Sequence, residues 1–433
     1  MAARNGRRLG LWGNHRNWPP VAAVRYHRIS MTYTDDSSDS IPPVHDFATD
    51  WDFNDPAWVN DPYPIWDDLR GRCPMGHSER FNEGAWLPLT FADVNAIAND
   101  VETFSNVHHG IRRGQTVSRG YFPPINSDPP DHMAIRRILL PFFNPKRVEG
   151  WRDEITADCE TRATALAAKG SGDAAVEYSQ HIPVGAIASI LGINPEDGDQ
   201  FRRWIRDIIA VGTNDAVAMQ TAVAEVRQYM AREMRLRRDN PGADLISHLV
   251  QAEIDGKPLE DDLIERILVL QLLAGIDTTW SSIGAALWHL GTYPEDRRRL
   301  VAEPELLPTA IEELLRAYAP VNVARRVTKD VSFNGVEMQE GDHVMMTFPI
   351  ACRDPEHFDR ADEVIIDRQK NRHIAFGVGI HRCLGSNLAR MEMEISIATF
   401  LKHIPEYSIT ENQQVEWSTG QIRGPRQIPI TIG

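Results

Sequence analysis

Helical periodicity dominates the chain beyond about residue 128. Apolar positions recur there at three- and four-residue spacing, and Gly or Pro separates successive segments. The pattern predicts helices over about residues 131–143, 147–168, 180–191, 197–211, 215–237, 242–254, 261–291, 305–317 and 384–403. Short alternating segments predict strands over about residues 322–326, 331–337, 343–347, 406–410, 414–418 and 427–431. This order indicates a mainly α fold with small antiparallel sheets.

The earlier part of the chain has weaker patterns. Short helical and strand-like pieces alternate there, with a helix predicted near 65–70 and a strand over 85–90 that ends at 91–93. Residues 105–124 are rich in Gly and Arg and lack periodicity. A loop of that length inside a compact domain is usually functional or mobile.

The domain organisation follows from the absence of a long linker after residue 50. We therefore predict one large α-rich domain over residues 51–433, preceded by an extension over residues 1–50. The first 34 residues contain six Arg and no Asp or Glu. They are interpreted as a disordered extension or as a start assigned too early, with Met31 as the true start; a transit peptide is the alternative.

Charge and cysteine usage narrow the function classes. The formal net charge is −15, which disfavours binding to nucleic acid or to anionic membranes. Cys73, Cys159, Cys352 and Cys383 form no CxxC pair, so neither a disulfide framework nor a zinc site is indicated. Reduced thiols favour a cytoplasmic location, and no run of 18 apolar residues predicts a membrane span.

Three glycines surround Cys383, the most informative of the four cysteines. Gly377, Gly379 and Gly385 allow a tight turn whose backbone can approach a flat ligand closely. A helix is predicted to begin directly after the sulfur, and its amino-terminal dipole favours a thiolate. For the other three cysteines, a structural role as small buried hydrophobes is the better interpretation.

The long predicted helix over 261–291 contains an unusual polar segment. Gly275, Asp277 and Thr278 follow an apolar run, and all three are poor residues for the middle of a helix. One interpretation is that Ala274 and Gly275 leave room for dioxygen while Asp277 and Thr278 form a hydrogen-bonded proton relay. The other is a local distortion in which Thr278 bonds to a backbone carbonyl.

Together these segments resemble the cytochrome P450 family. The stretch from Phe376 to Gly385 is similar to its FxxGxxxCxG signature, and AGIDTT at 274–279 is similar to its [A/G]GxxTT motif. The resemblance covers roughly residue 50 to the end of the chain and is to the soluble bacterial type, with a carboxyl-terminal part similar to the camphor-hydroxylating group. It implies a single-domain P450 fold with haem b between the long helix and the Cys383 loop, whose thiolate is the axial iron ligand.

The resemblance also implies further site residues. Glu313 and Arg316 match the ExxR motif, a structural ion pair completed by a second Arg, for which Arg368 is the candidate and Arg353 and Arg360 are rivals. The expected contacts to the haem and its propionates are His132, Arg136, Arg325, Phe376, His381, Gly385 and Ala274, with His373 and Arg326 as weaker candidates. By analogy the substrate pocket includes Tyr121, Phe122, Leu270, Val321, Val323, Gln421 and Ile422.

The implied activity is insertion of one oxygen atom of O₂ into a small apolar substrate, as in hydroxylation or dealkylation. Electrons are expected from a separate ferredoxin and ferredoxin reductase that dock on a monomer at a basic patch, for which Arg137, Lys146, Arg147 and Arg382 are the candidates. Two alternatives remain open at this point: a peroxide-driven peroxygenase of the same fold, and a haem-binding sensor or carrier without turnover.

Overall fold

The computed structural model describes residues 42–81, 84–107, 110–111, 121–213 and 215–433. The amino-terminal extension up to residue 41 and most of the Gly- and Arg-rich loop therefore lie outside the described residues. The compact unit runs from Pro43 to Gly433. It begins earlier than the predicted boundary at residue 50, because the short helix Phe47–Asp50 already packs against the strand Met75–Ser78.

Helices make up most of the described fold. They are α1 (Phe47–Asp50), α2 (Pro56–Asn60), α3 (Tyr63–Arg72), α4 (Phe91–Asn99), α5 (Asp131–Leu139), α6 (Pro145–Glu149), α7 (Arg152–Ala167), α8 (Ile182–Leu191), α9 (Gly198–Ile205), α10 (Ala216–Asp239), α11 (Leu245–Leu249), α12 (Asp261–Thr292), α13 (Pro294–Ala302), α14 (Leu307–Ala317), α15 (Phe348–Cys352) and α16 (Ser386–His403).

Short strands form small sheets beside the helices. They are β1 (Met75–Ser78), β2 (Ala85–Pro88), β3 (Phe104–Ser105), β4 (Ser171–Asp173), β5 (Glu253–Ile254), β6 (Lys257–Pro258), β7 (Asn322–Val327), β8 (Val331–Phe333), β9 (Val336–Met338), β10 (His343–Thr347), β11 (Tyr407–Ile409), β12 (Glu416–Trp417), β13 (Pro425–Gln427) and β14 (Pro429–Ile432). One sheet has the order β1-β2-β10-β7-β3 and another the order β11-β14-β4. All pairs are antiparallel except β2 with β10. The mainly α fold with small, largely antiparallel sheets is confirmed.

The long helix α12 runs through the core, as its apolar sequence predicts. It packs against α8, α10 and α16, and most of its side chains are buried. Among the described residues it is the one helix long and apolar enough to cross a membrane, but 72% of its most apolar window is buried inside the protein. That burial is typical of a core helix.

Several predicted boundaries were wrong for identifiable local reasons. Residues 91–93 are the first turn of α4 and not a strand end, because the Thr90 side chain accepts a hydrogen bond from the Asp93 amide and caps the helix. The segment 331–337 is a hairpin of β8 and β9 and not one strand, because Asn334 and Gly335 both take positive φ at its turn.

Two helices predicted as continuous are also interrupted. The helix predicted over 242–254 stops at Leu249, and the chain continues into the β5–β6 hairpin, where Asp255 and Gly256 have positive φ. The helix predicted over 147–168 is divided into α6 and α7 near Gly150. Helix α13 was not predicted at all.

A fully buried ion pair joins α14 to the segment that follows α15. The Arg316 guanidinium donates to both carboxylate oxygens of Glu313, at 2.8 and 2.9 Å. Arg368 donates to the same carboxylate at 2.9 Å, whereas the rivals Arg353 and Arg360 bond elsewhere. Arg316 also donates to the carbonyls of Cys352, at the end of α15, and of Ala361 and Glu363 in the segment that follows. These bonds hold an irregular stretch of backbone against α14.

We expect Arg316→Met to lower the free energy of unfolding by about 3–5 kcal/mol, because it removes the fully buried guanidinium that pairs with Glu313 and leaves three carbonyls without their donor. Urea denaturation measures this. Arg360→Met is the matched control, since Arg360 pairs with Glu363 at the surface, where loss of a pair costs about 0–1 kcal/mol. Equal losses in the two variants would contradict this role of Arg316.

Candidate active site

The loop before α16 holds Cys383 in a tightly bonded turn. The Cys383 amide donates to the Phe376 carbonyl at 2.7 Å, and the Gly377 amide donates to the Ile374 carbonyl at 2.8 Å. Gly377 and Gly379 have φ of +70° and +71°, a region that other residues rarely adopt. A Cβ at Gly379 would also lie 3.0 Å from the Ala98 carbonyl oxygen. Gly377 and Gly379 therefore fix the position of the sulfur, whereas Gly385 has a φ of −83° and open space where a Cβ would lie.

The Cys383 sulfur is enclosed by protein but accessible from an internal cavity. Burial raises the pKa of the Cys383 thiol, and a hydrogen bond from the Gly385 amide and the charges of Arg136, Arg382 and Arg390 oppose this rise. The protein groups alone thus leave the thiol favoured over the thiolate. A stable thiolate here requires a positive charge in the cavity, such as a metal ion.

The cavity lies between the Cys383 loop and α12. Most predicted site residues line it: His132, Arg136, Leu270, Ala274, Gly275, Thr278, Val321, Val323, Arg325, Phe376, His381, Cys383 and Gly385. Other predicted residues do not: Tyr121, Phe122, Asp277, Arg326, His373, Gln421 and Ile422. The hydroxyl of Tyr121 instead bonds to Ser127 at 2.9 Å. His373 bonds to Glu312 at 3.0 Å.

Buried cationic and imidazole groups face the cavity beside Cys383. Both ring nitrogens of His132 and the Nε of Arg325 lack a hydrogen-bond partner within the described residues. Burial lowers the pKa of Arg325 to about 9 and that of His132 to about 4. The His132 and His381 rings lie together, with centroids 4.2 Å apart. Groups of this kind require hydrogen-bond acceptors from the cavity, which the two carboxylates of haem would provide.

Arg136 also lines the cavity, but part of its guanidinium is already engaged. It donates to the Arg382 carbonyl and so ties α5 to the Cys383 loop. Burial lowers the pKa of Arg136, while Cys383 opposes that effect. Arg136 therefore has a structural contact in addition to its predicted role as a propionate anchor. The donor set around Cys383 fits haem.

Helix α12 presents Thr278 to the cavity. The Thr278 hydroxyl donates to the Ala274 carbonyl at 2.9 Å, which is the backbone bond that the sequence left open as an alternative. Gly275 leaves room in the cavity and also allows α8 to pack closely on α12, because a Cβ at this position would lie 2.8 Å from the Ile187 side chain of α8. The polar segment of α12 is therefore compatible with a regular helix.

Asp277 does not form the predicted hydrogen bond with Thr278 within the described residues. Its side chain is 3% exposed and pairs with Arg426 of β13 at 2.8 Å, away from the cavity lining. Arg426 also bonds to Ser281 and lies over the Trp280 ring. Burial raises the pKa of the Asp277 carboxyl, and Arg426 opposes that rise. Adjacent residues on a helix point in different directions, so the expected direct pair was wrong.

Sequence reasoning missed several residues that line the cavity, among them Gln271, Ser282, Phe348 and Glu392. Gln271 and Ser282 lie four residues to either side of Gly275 and Thr278, so helical spacing alone could have identified them. Glu392 is buried, and burial raises its pKa to about 8 although Thr279 opposes this. Nothing local in the sequence marks Glu392, because its burial depends on how α16 packs on α12.

Comparison with known proteins supports the predicted family. The sequence model of the cytochrome P450 family matches residues 204–417. The chain is 32% identical to mycinamicin IV hydroxylase/epoxidase of Micromonospora griseorubida over 81% of this chain and 90% of that protein. It is 29% identical to vitamin D(3) 25-hydroxylase of Pseudonocardia autotrophica, over 88% of this chain and 96% of that protein.

Solved structures show the same fold. CYP101J2 superposes with a TM-score of 0.82 at 25% identity, covering 91% of this chain and all of that one. CYP109E1 from Bacillus megaterium, solved in complex with testosterone, has a TM-score of 0.79 at 30% identity and covers 86% of this chain and 98% of that one.

Proposed function

The chain belongs to the cytochrome P450 family and is a P450 monooxygenase; on that premise we propose that it inserts one atom of O₂ into an apolar organic substrate by hydroxylation or dealkylation. The second oxygen atom leaves as water. The observation that carries this proposal is the position of Cys383, whose sulfur opens into a cavity that also receives the unpartnered groups of His132 and Arg325.

The cofactor of the family is haem b with a cysteine thiolate as axial ligand, and this combination activates O₂ when it is bound. In this chain Cys383 would supply that ligand. His132 and Arg325, with Arg136 and His381, would hold the propionates by charge and hydrogen bonds. Phe376 and Gly385 form the wall next to the sulfur, and Ala274 leaves space on the opposite side.

Proton supply involves Thr278 and Asp277 at different positions. The Thr278 hydroxyl faces the cavity, where it can hold and pass a proton. Asp277 lies on the other side of α12 with Arg426, whose side chain is 23% exposed to solvent. We infer that a proton enters at this ion pair and reaches Thr278 through water or a change of side-chain rotamer, and not through a direct hydrogen bond.

The substrate class follows from the cavity walls. Ile125, Ile187, Leu270, Val321 and Val323 make them largely apolar, which suits a small or medium terpenoid, aromatic or steroid-like compound. The names of similar proteins point in the same direction, since they include a mycinamicin hydroxylase, a vitamin D(3) hydroxylase and an enzyme crystallised with testosterone.

We expect Thr278→Ala to keep NADH consumption within about threefold of wild type but to divert most of it from product to hydrogen peroxide. Product and peroxide per NADH are measured with a ferredoxin, its reductase and a substrate found by spin-state screening. Ser282→Ala is the matched control, because Ser282 also lines the cavity and also bonds to a helix carbonyl.

Unchanged product yield in Thr278→Ala would contradict the proton role. The same assay separates the rival functions. A peroxygenase would form product with peroxide alone and gain nothing from NADH, and a sensor or carrier would form no product under either condition.

Electrons come, in our proposal, from a separate small ferredoxin and its reductase, with the enzyme acting as a cytoplasmic monomer. Arg137, Lys146, Arg147 and Arg382 are exposed on or beside α5, α6 and the Cys383 loop. Arg382 is next to the ligand itself, and Arg136 ties the loop to α5. On a chain of net charge −15, such a basic patch is the natural docking site for an acidic electron donor.

We expect Arg382→Glu to slow reduction of the ferric enzyme by its ferredoxin about tenfold at low ionic strength, with the difference shrinking in high salt because the interaction is screened. Stopped-flow absorbance gives the rate. Arg235→Glu on α10 is the control, since it makes the same charge change at another exposed position. Equal rates for the two variants would rule out the patch.

A further inference from the structure

Gln271 is a carboxamide within an apolar run of α12. It lines the cavity, its residue is 8% exposed, and within the described residues its side chain forms no hydrogen bond. The residues around it in the sequence, from Leu268 to Leu273, are otherwise apolar. A Leu or Met at this position would suit the apolar core better than an amide that has no protein partner.

Two other polar side chains that α12 presents to the cavity are already engaged. Thr278 donates to the Ala274 carbonyl, and Ser282 donates to the Thr278 carbonyl. Asn106, also in the cavity lining, donates its Nδ2 hydrogen to the Ile125 carbonyl, while its Oδ1 has no partner among the described residues. Leaving a buried amide donor without an acceptor is costly. Gln271 differs from these three residues because its N–H donors are not engaged by the protein and can be met by an occupant of the cavity.

Gln271 lies on the same face of α12 as the residues that are expected to surround the site of oxidation. Residues 271, 274, 275 and 278 lie on one face of α12, at helical spacings of three and four. With a rise of about 1.5 Å per residue, Gln271 lies about 5–6 Å along the helix axis from the Ala274–Gly275 position. Thr278 lies on the far side of that position, one further turn along the same face.

We propose that Gln271 is a substrate-binding residue that donates a hydrogen bond to a ketone or hydroxyl oxygen carried by an otherwise hydrocarbon substrate. The inference rests on the proposed function and narrows it to oxygen-bearing substrates. The bound oxygen and the oxidised carbon are then separated by about one helical turn, so Gln271 also determines which carbon is presented for oxidation. The apolar walls formed by Ile187, Val321 and Val323 enclose the hydrocarbon part.

The test compares matched pairs of rigid probes that differ only in a carbonyl: camphor with camphane, and androstanone with androstane. Dissociation constants for the ferric holoenzyme are obtained from substrate-induced spin-state shifts and, independently, from the ligand-induced rise in Tm. Gln271→Met keeps the size and helix propensity of the side chain and removes its polarity. Leu272→Met, at the adjacent buried position of α12 that does not line the cavity, is the matched control.

Wild type and Leu272→Met should bind at least one ketone about tenfold more tightly than its hydrocarbon, and Gln271→Met should lose most of that preference. An unchanged ketone preference in Gln271→Met overturns the proposal, as does the absence of any ketone preference in wild type. The carbon monoxide spectrum of the same samples reports the haem–thiolate centre separately. Its loss would therefore reflect failure of the proposed function and not of the Gln271 contact.

Discussion

The site depends on one electrostatic constraint: the groups that surround the cavity cannot satisfy one another. Burial favours the neutral thiol of Cys383, while both ring nitrogens of His132 and the Nε of Arg325 are buried with no partner among the described residues. A positively charged metal centre beside the sulfur and anionic groups beside Arg325 reverse both penalties together. Haem b has this distribution of charge, so its binding completes the core and should stabilise the fold.

The backbone around the sulfur is arranged to keep that geometry fixed. Glycines at positive φ shape the turn, and the Cys383 amide closes it on the Phe376 carbonyl. The Glu313–Arg316–Arg368 cluster does the same for the irregular segment that leads to the loop, using side-chain donors where no regular helix or sheet supplies them. Different faces of helix α12 carry residues with different functions. Gln271 and Thr278 face the cavity, and Asp277 faces Arg426.

Local signals in the sequence were sufficient to predict much of the fold and of the Cys383 loop. The periodicity of α12, the glycines around Cys383 and the ExxR spacing are all short-range features, and each was read correctly as a structural element. The errors involve long-range contacts. Arg426 meets Asp277 only because β13 packs beside α12, and Ile187 explains Gly275 only because α8 crosses it. The substrate pocket is the hardest part to predict, since residues from many segments form the cavity, and its lining does not include the predicted Tyr121 and Gln421.

The most direct test of the account is the absorption spectrum of the reduced, carbon monoxide-bound protein. The wild-type chain should give the red-shifted Soret band of thiolate-ligated haem. The single substitution Cys383→Ser, which leaves the other cavity residues as they are, should abolish that band. A histidine-type band in the wild type would contradict the account. Persistence of the thiolate-type band in Cys383→Ser would do so as well, because it would place the ligand at another cysteine.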